Sequence, residues 1–293
     1  MRVIFIGAVE FSLLALKQLV TIGAEVVGVC TSQGSSLNAD YADLSPVCRE
    51  HGIPLIVADD INASVTLDWI RALSPDVIFC FGWSRLLKDE LLSVAPLGVV
   101  GFHPAALPAN RGRHPLIWAL ALGLEHTGST FFFMDASVDG GDILSQRCLE
   151  IDPKDDARAL YDKVCTTALE QITQFFPQLA NGSFVRVPQD HAVSNTWRKR
   201  VMADGKIDWR MSARSIHNLV RALAKPYVGA HFVVDGNNIK LWKTAVLVDV
   251  PANIEPGKVL ALHDGAPVVK CGQDALCLLC TEPNFAPIEG CYL

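Results

Sequence analysis

Short apolar runs alternate with stretches of helical periodicity through the first half of the chain. Residues 3–6 are apolar without a break, and related runs recur at 25–30, 54–57, 76–80 and 97–102. Between them, residues 11–20, 44–50 and 65–73 repeat apolar side chains at the spacing of one helix face. Strands that are apolar on both faces need cover on both sides, and strands separated by helices pair in parallel. The pattern predicts a doubly wound α/β domain with a mostly parallel, Rossmann-like sheet. Two more strands at 129–134 and 143–148 and a helix over 155–180 complete it, with Asn181-Gly182 as the helix stop.

Beyond residue 186 the pattern changes. Residues 187–205 are polar and carry no period, which reads as a linker. A helix over 212–223, capped by Ser212, then leads into strands at 230–234, 239–245, 259–262, 267–270 and 276–280. Asp235-Gly236-Asn237-Asn238 joins the first two as a hairpin. The expected organisation is an α/β catalytic domain over 1–186, a linker over 187–205 and a small β-rich, barrel-like domain over 206–293, with no internal repeat.

Half of the 293 residues are hydrophobic and 19% are charged, an ordinary globular balance. The net charge of −6 argues against a nucleic-acid partner, since proteins that grip phosphate backbones carry a basic patch. The one dense basic run is Arg198-Lys199-Arg200, which reads as a solvated connector. Nine scattered cysteines form no disulfide framework. The CxxC at Cys277 and Cys280 lies in an apolar strand without a second ligand pair, so no metal is expected. The reduced thiols and the absence of a leader-like or membrane-spanning run predict a cytoplasmic protein without a membrane partner.

Candidate chemistry gathers where strand 97–102 ends. His103-Pro104 opens a loop, 105–115, stiffened by three prolines and carrying Arg111, Arg113 and His114. A histidine at a strand's carboxyl end is placed to act as a base, and equally to be a satisfied structural residue. The second element is Val138-Asp139-Gly140-Gly141-Asp142, whose glycines permit close approach of a ligand and which also suits a plain turn.

Together these segments resemble the signature of the 10-formyltetrahydrofolate-dependent formyltransferases. The resemblance rests on Gly101-Phe102-His103-Pro104, Leu107-Pro108, Arg111-Gly112, Pro115, Thr127-Gly128 and Asp139-Gly140-Gly141, with Asp139 following His103 by 36 residues. Asp208-Trp209, Leu219-Val220-Arg221-Ala222-Leu223, Pro226 and Gly229-Ala230 extend it to nearly the whole chain. It implies 10-formyltetrahydrofolate as co-substrate and an amine that attacks the formyl carbon. His103 would take the amine proton, worth about 10² to 10⁴ in rate, and Asp139 would orient and charge-stabilise the ring. Folate would lie between Phe81, Gly82, Trp83, Arg85 and Leu86 on one side and Val138, Gly140 and Asp142 on the other. Asp142 is the rival carboxylate, which otherwise simply opens the next strand.

One position departs from the family pattern. Members usually carry an Asn two residues before the histidine, and here Gly101 stands there. That Asn is implied to help hold the oxyanion, and losing such a donor costs about 10² to 10³ in rate. The His103 imidazolium, a backbone N–H, Asn110 or His114 are candidates to replace it; a weak or inactive protein is the other reading. The acceptor reading favours a nucleotide-linked amino sugar. Loop 31–40 lacks the positive charge expected of a tRNA enzyme, and glycinamide ribonucleotide enzymes lack the second domain. Gly101, the run 111–118 and Phe131-Phe132-Phe133-Met134 resemble the branch acting on CMP-linked nonulosonic acids. Arg111, Arg113 and His114 would then meet the substrate, through a two-pronged contact to carboxylate or phosphate in the case of an arginine; for Arg111 a bracing role in the loop weighs equally. A methionyl-tRNA acceptor, hydrolysis of formyl-folate, a non-catalytic binding role and a homodimer through the second domain stay open.

Overall fold

In the computed structural model, which describes residues 1–33 and 40–293, each apolar run of the first half becomes a strand. The chain begins β1 (Arg2–Ile6), α1 (Glu10–Thr21), β2 (Glu25–Thr31), α2 (Ser45–Glu50), β3 (Leu55–Val57), α3 (Ser64–Ala72), β4 (Val77–Cys80), α4 (Asp89–Leu92) and β5 (Val99–His103). It continues β6 (Arg111–Gly112), α5 (Pro115–Ala121), β7 (His126–Phe133), β8 (Ile143–Glu150), α6 (Ala157–Asn181), β9 (Thr196–Trp197) and α7 (Ala213–Ala222). Five strands close the chain: β10 (Ala230–Val234), β11 (Asn237–Leu247), β12 (Val259–His263), β13 (Ala266–Lys270) and β14 (Ala275–Glu282). Residues 34–39 of loop 31–40, the loop without positive charge, lie outside the described residues.

The first sheet has the order β3-β2-β1-β4-β5-β7-β8. The pairings from β3 to β5 are parallel, and β5 with β7 is antiparallel. The strand order reverses between β1 and β4, and ligands of open α/β sheets bind beyond the carboxyl ends of strands at such a reversal. Alternation along the strands sorts two cores. Phe79, Phe81, Phe102 and Phe131 join Phe11 of α1 and Phe175 and Phe176 of α6 in a continuous aromatic cluster on one face. Ile4, Ile6, Ile78, Cys80 and Val99 pack on the other, with Ile70 of α3, Leu91 of α4, Trp83 and Met134.

The chain divides into two compact units that are not contiguous in sequence. One comprises Met1–Gly112, Gly128–Leu149 and Asp162–Trp197; the other comprises Arg113–Thr127, Glu150–Tyr161 and Arg198–Leu293. The second unit therefore takes α5 from the middle of the chain. The reason is local packing: α5 lies against α7, and a side chain at Gly123 would run into Asn218. Ser212 caps α7 by accepting from the Ser215 N–H, and Ile216, Leu219 and Val220 form its buried face. The five last strands make an antiparallel sheet, β10-β11-β14-β13-β12. The first hairpin turns at Asp235 and Gly236, both at positive φ, as a tight two-residue turn requires. Among the described residues no helix is long and apolar enough to cross a membrane.

Candidate active site

His103 is the last residue of β5 rather than the first of the loop, because the pairing with β7 continues to Thr130 opposite it. The loop beyond is tied down by its carbonyls. Thr130 Oγ1 donates to Ala105 O at 2.6 Å, and Gln146 Nε2 to Leu107 O at 2.7 Å. Thr127-Gly128 owes its glycine to this crossing, since a Cβ at 128 would sit 2.6 Å from the Ala106 nitrogen.

The His103 side chain is buried and both ring nitrogens have neighbours. Nε2 lies 2.7 Å from Asn110 O, and Nδ1 lies 3.6 Å from Asp139 Oδ2. A carbonyl oxygen can only accept, so Nε2 carries a proton and Nδ1 is the atom free to gain one. Asp139 sits at positive φ on the turn between β7 and β8, and its Oδ2 accepts from Gly112 N at 2.8 Å.

Two residues that hold this arrangement come from the polar stretch after 186. Gln189 is buried; its amide donates to Asp139 O at 2.9 Å and Gly141 O at 2.7 Å and accepts from Arg111 Nη2 at 2.6 Å. Asn195 accepts from the Asn110 and Arg111 N–H groups at 2.7 and 3.0 Å, and β9 pairs with β6 beside it. Neither carries a signal in the sequence: β9 is two residues long, too short to show a period.

At Gly101 the space for a side chain is already taken. A Cβ there would lie 2.8 Å from Met134 Cγ and 3.1 Å from both Met134 Sδ and Phe132 Cζ. The residues between β4 and α4 are mixed in their placement. Phe81 is wholly buried among Phe5, Phe79 and Phe131, its N–H bonds Ile6 O and its carbonyl accepts from Ser12 Oγ. It builds the strand end from inside. Gly82 turns the chain at positive φ. Trp83 has its indole N–H buried without a partner among the described residues. Arg85 donates to the Asp59 carbonyl and stands over the Trp83 ring, while Leu86 is exposed.

On the other side Val138 is exposed, Gly140 is buried against Arg111, and the Asp142 carbonyl accepts from Phe133 N as β8 opens. Arg111 is 7% exposed and directed at Gln189 and His191. Arg113 and His114 begin the second unit. His114 stands just before α5 at positive φ; burial, then the charges of Arg113, Arg200 and Lys199, lower its pKa. Cys277 and Cys280 lie on β14 on either side of a register irregularity at Leu279, the first buried and the second exposed. No cluster of three or more potential metal ligands occurs among the described residues.

The formyl transferase family model matches residues 2–175, and that of the formyl transferase C-terminal domain matches 201–284. A methionyl-tRNA formyltransferase of Geobacter metallireducens is 31% identical over 280 residues, covering 94% of this chain and 89% of that protein. WlaRD, a sugar 3N-formyl transferase solved in the presence of dTDP and 5-N-formyl-THF, superposes with a TM-score of 0.71 at 16% identity over 94% of this chain and 96% of its own. An N-formyltransferase from Helicobacter canadensis, solved with folinic acid and dTDP-3-aminofucose, gives 0.70 at 15% identity over 94% and 98%. At these identities the two structures speak for the fold.

Proposed function

The chain belongs to the formyl transferase family and is a formyl-transferring enzyme, and from that we propose that it formylates the amino group of a nucleotide-linked amino sugar, with 10-formyltetrahydrofolate as donor. The observation that carries the chemistry is the buried His103 ring between Asn110 O and Asp139. Folate supplies the formyl group. His103 Nδ1 receives the proton released as the amine attacks and returns it to the departing folate nitrogen. Asp139 Oδ2 lies 3.6 Å from Nδ1, so the transient positive charge forms beside a carboxylate. Nε2 donates to Asn110 O throughout, which keeps the ring from rotating.

The residues suit a flat heterocycle with carbonyl groups. Trp83 presents an apolar face and a buried N–H that needs an acceptor, at the strand-order reversal where such ligands bind. Gly82, Arg85, Leu86, Val138, Gly140 and Asp142 complete this proposed lining. Arg111 braces the site, and Arg113 and His114 are the candidates to meet the acceptor. A CMP-linked nonulosonic acid is the first acceptor to try. The 31% identical relative is a methionyl-tRNA formyltransferase, which makes methionyl-tRNA the second. The test is release of tetrahydrofolate from 10-formyltetrahydrofolate with CMP-, UDP-, dTDP- and GDP-linked amino sugars and with charged initiator tRNA. Turnover with a sugar nucleotide, lost in His103→Ala, is expected; turnover with tRNA alone overturns the sugar assignment, and turnover retained by His103→Ala removes the base.

A further inference from the structure

Asp139 stands in a costly place. Its φ is +51, in the left-handed region, and the turn before it, 135–138, is exposed throughout. A non-glycine residue needs its surroundings to hold it in that conformation. The hydrogen bonds on its carbonyl side come from one side chain, Gln189. Its two N–H groups reach the carbonyls of Asp139 and Gly141, spanning Gly140 like a clamp, while its oxygen takes the Arg111 guanidinium. At 6% exposure the amide has little water to fall back on. The same segment holds the other half of the pair. Asn195 accepts from the N–H groups of Asn110 and Arg111, and the Asn110 carbonyl is the group bonded to His103 Nε2.

We propose that residues 189–197 form a strap that sets the distance between His103 and Asp139, with Gln189 as its positioning residue. The inference rests on the reading that these two residues carry formyl transfer. Gln189 bonds the backbone around Asp139 and not its carboxylate, so it acts through Asp139. Arg111 is the strap's anchor: a buried cation without a carboxylate partner in any described ion pair, held through Nη2 by Gln189 and His191. Loss of the clamp frees the turn to leave the left-handed conformation and carries the carboxylate away from the ring. Displacements of about 1 Å at a reacting centre can cost about 10² in rate.

The experiment compares the whole wild-type chain with Gln189→Met, which keeps the volume, and Gln189→Glu, which keeps the acceptor for Arg111 but loses both donors. Wild-type turnover, and its loss in His103→Ala, is measured first and tests the formyl-transfer reading by itself. The His103 ring ¹⁵N resonances are read in every variant and need no turnover. Both Gln189 variants are expected to lower kcat about 10- to 100-fold, to leave the folate KM within about threefold, and to shift the His103 ring signals. Unchanged kcat and unchanged ring signals in a folded Gln189→Glu protein would overturn the strap. So would a kcat loss that vanishes on cooling below the variant's own unfolding transition, since that is what a purely structural role produces. Should Gln189→Met not fold, Gln189→Glu alone carries the comparison.

Discussion

At the scale of single residues, the departure at position 101 is a packing exchange. Met134 occupies the room that a side chain on that face of β5 would need, so a substitution at 101 alone requires Met134 to shift. Gly101→Asn is expected to lower stability by about 1–3 kcal/mol, the usual cost of overpacking, and Gly101→Asn with Met134→Ala to recover part of it. Thermal unfolding of the three proteins checks this; an undisturbed melting temperature in the single variant would mean that Met134 yields freely. Trp83 gives a prediction with opposite signs. Its buried N–H lacks an acceptor among the described residues, a situation that costs about 1–3 kcal/mol. Trp83→Phe should leave the ligand-free protein equally or more stable while weakening folate binding about tenfold. Calorimetric titration beside unfolding curves separates the two effects, and a loss of stability without a loss of affinity would assign the indole to the core.

Among elements, the decisive ones are those that periodicity cannot report. β5 and β7 are legible as apolar runs, and their pairing brings His103 opposite Thr130. The loop that follows takes its shape from distant acceptors and donors, Thr130, Gln146 and Asn195. Asn195→Ala should lower kcat about tenfold with little change in folate KM, because it loosens the backbone that holds Nε2. Steady-state kinetics decides it, and a change confined to KM would place Asn195 in binding. Helix α7 supplies a control remote in sequence from this chemistry. Ser212→Ala removes its cap and should cost about 1 kcal/mol, seen as a lower denaturation midpoint at unchanged kcat.

For the molecule as a whole, pH is the informative variable. His114, His217 and His231 all have pKa values lowered from 6.5, in each case by burial first and neighbouring cations second. The folded protein therefore binds fewer protons than the unfolded chain just below pH 6.5. Their contribution to stability is fully present above that pH and is lost as pH falls through the folded values. The melting temperature should decline from pH 7.5 to about 5, above the range where the carboxylates titrate. Replacing the three histidines by glutamine should flatten that decline; an equally steep curve in the triple variant would assign it elsewhere. All three lie in the second unit, so its unfolding should lead on acidification.

The linear pattern by itself determined the strands and helices of the sheet, the β-rich character of the second half, and the family, because each of these is written in neighbouring residues. Period two or 3.6 needs only a few consecutive positions, and the run from Gly101 to Gly141 holds its signature within one stretch. His103 and Asp139 were legible for the same reason. Tertiary structure alone decided the rest. That residues 189–197 clamp the turn at Asp139, that α5 belongs with α7, that Met134 fills the place beside Gly101 and that Phe81 faces inward all depend on side chains far apart in sequence meeting in space. Hydrogen bonds from irregular backbone and mutual exclusion of volume leave no periodic trace, so a polar stretch without a pattern looks like a linker until its partners are beside it.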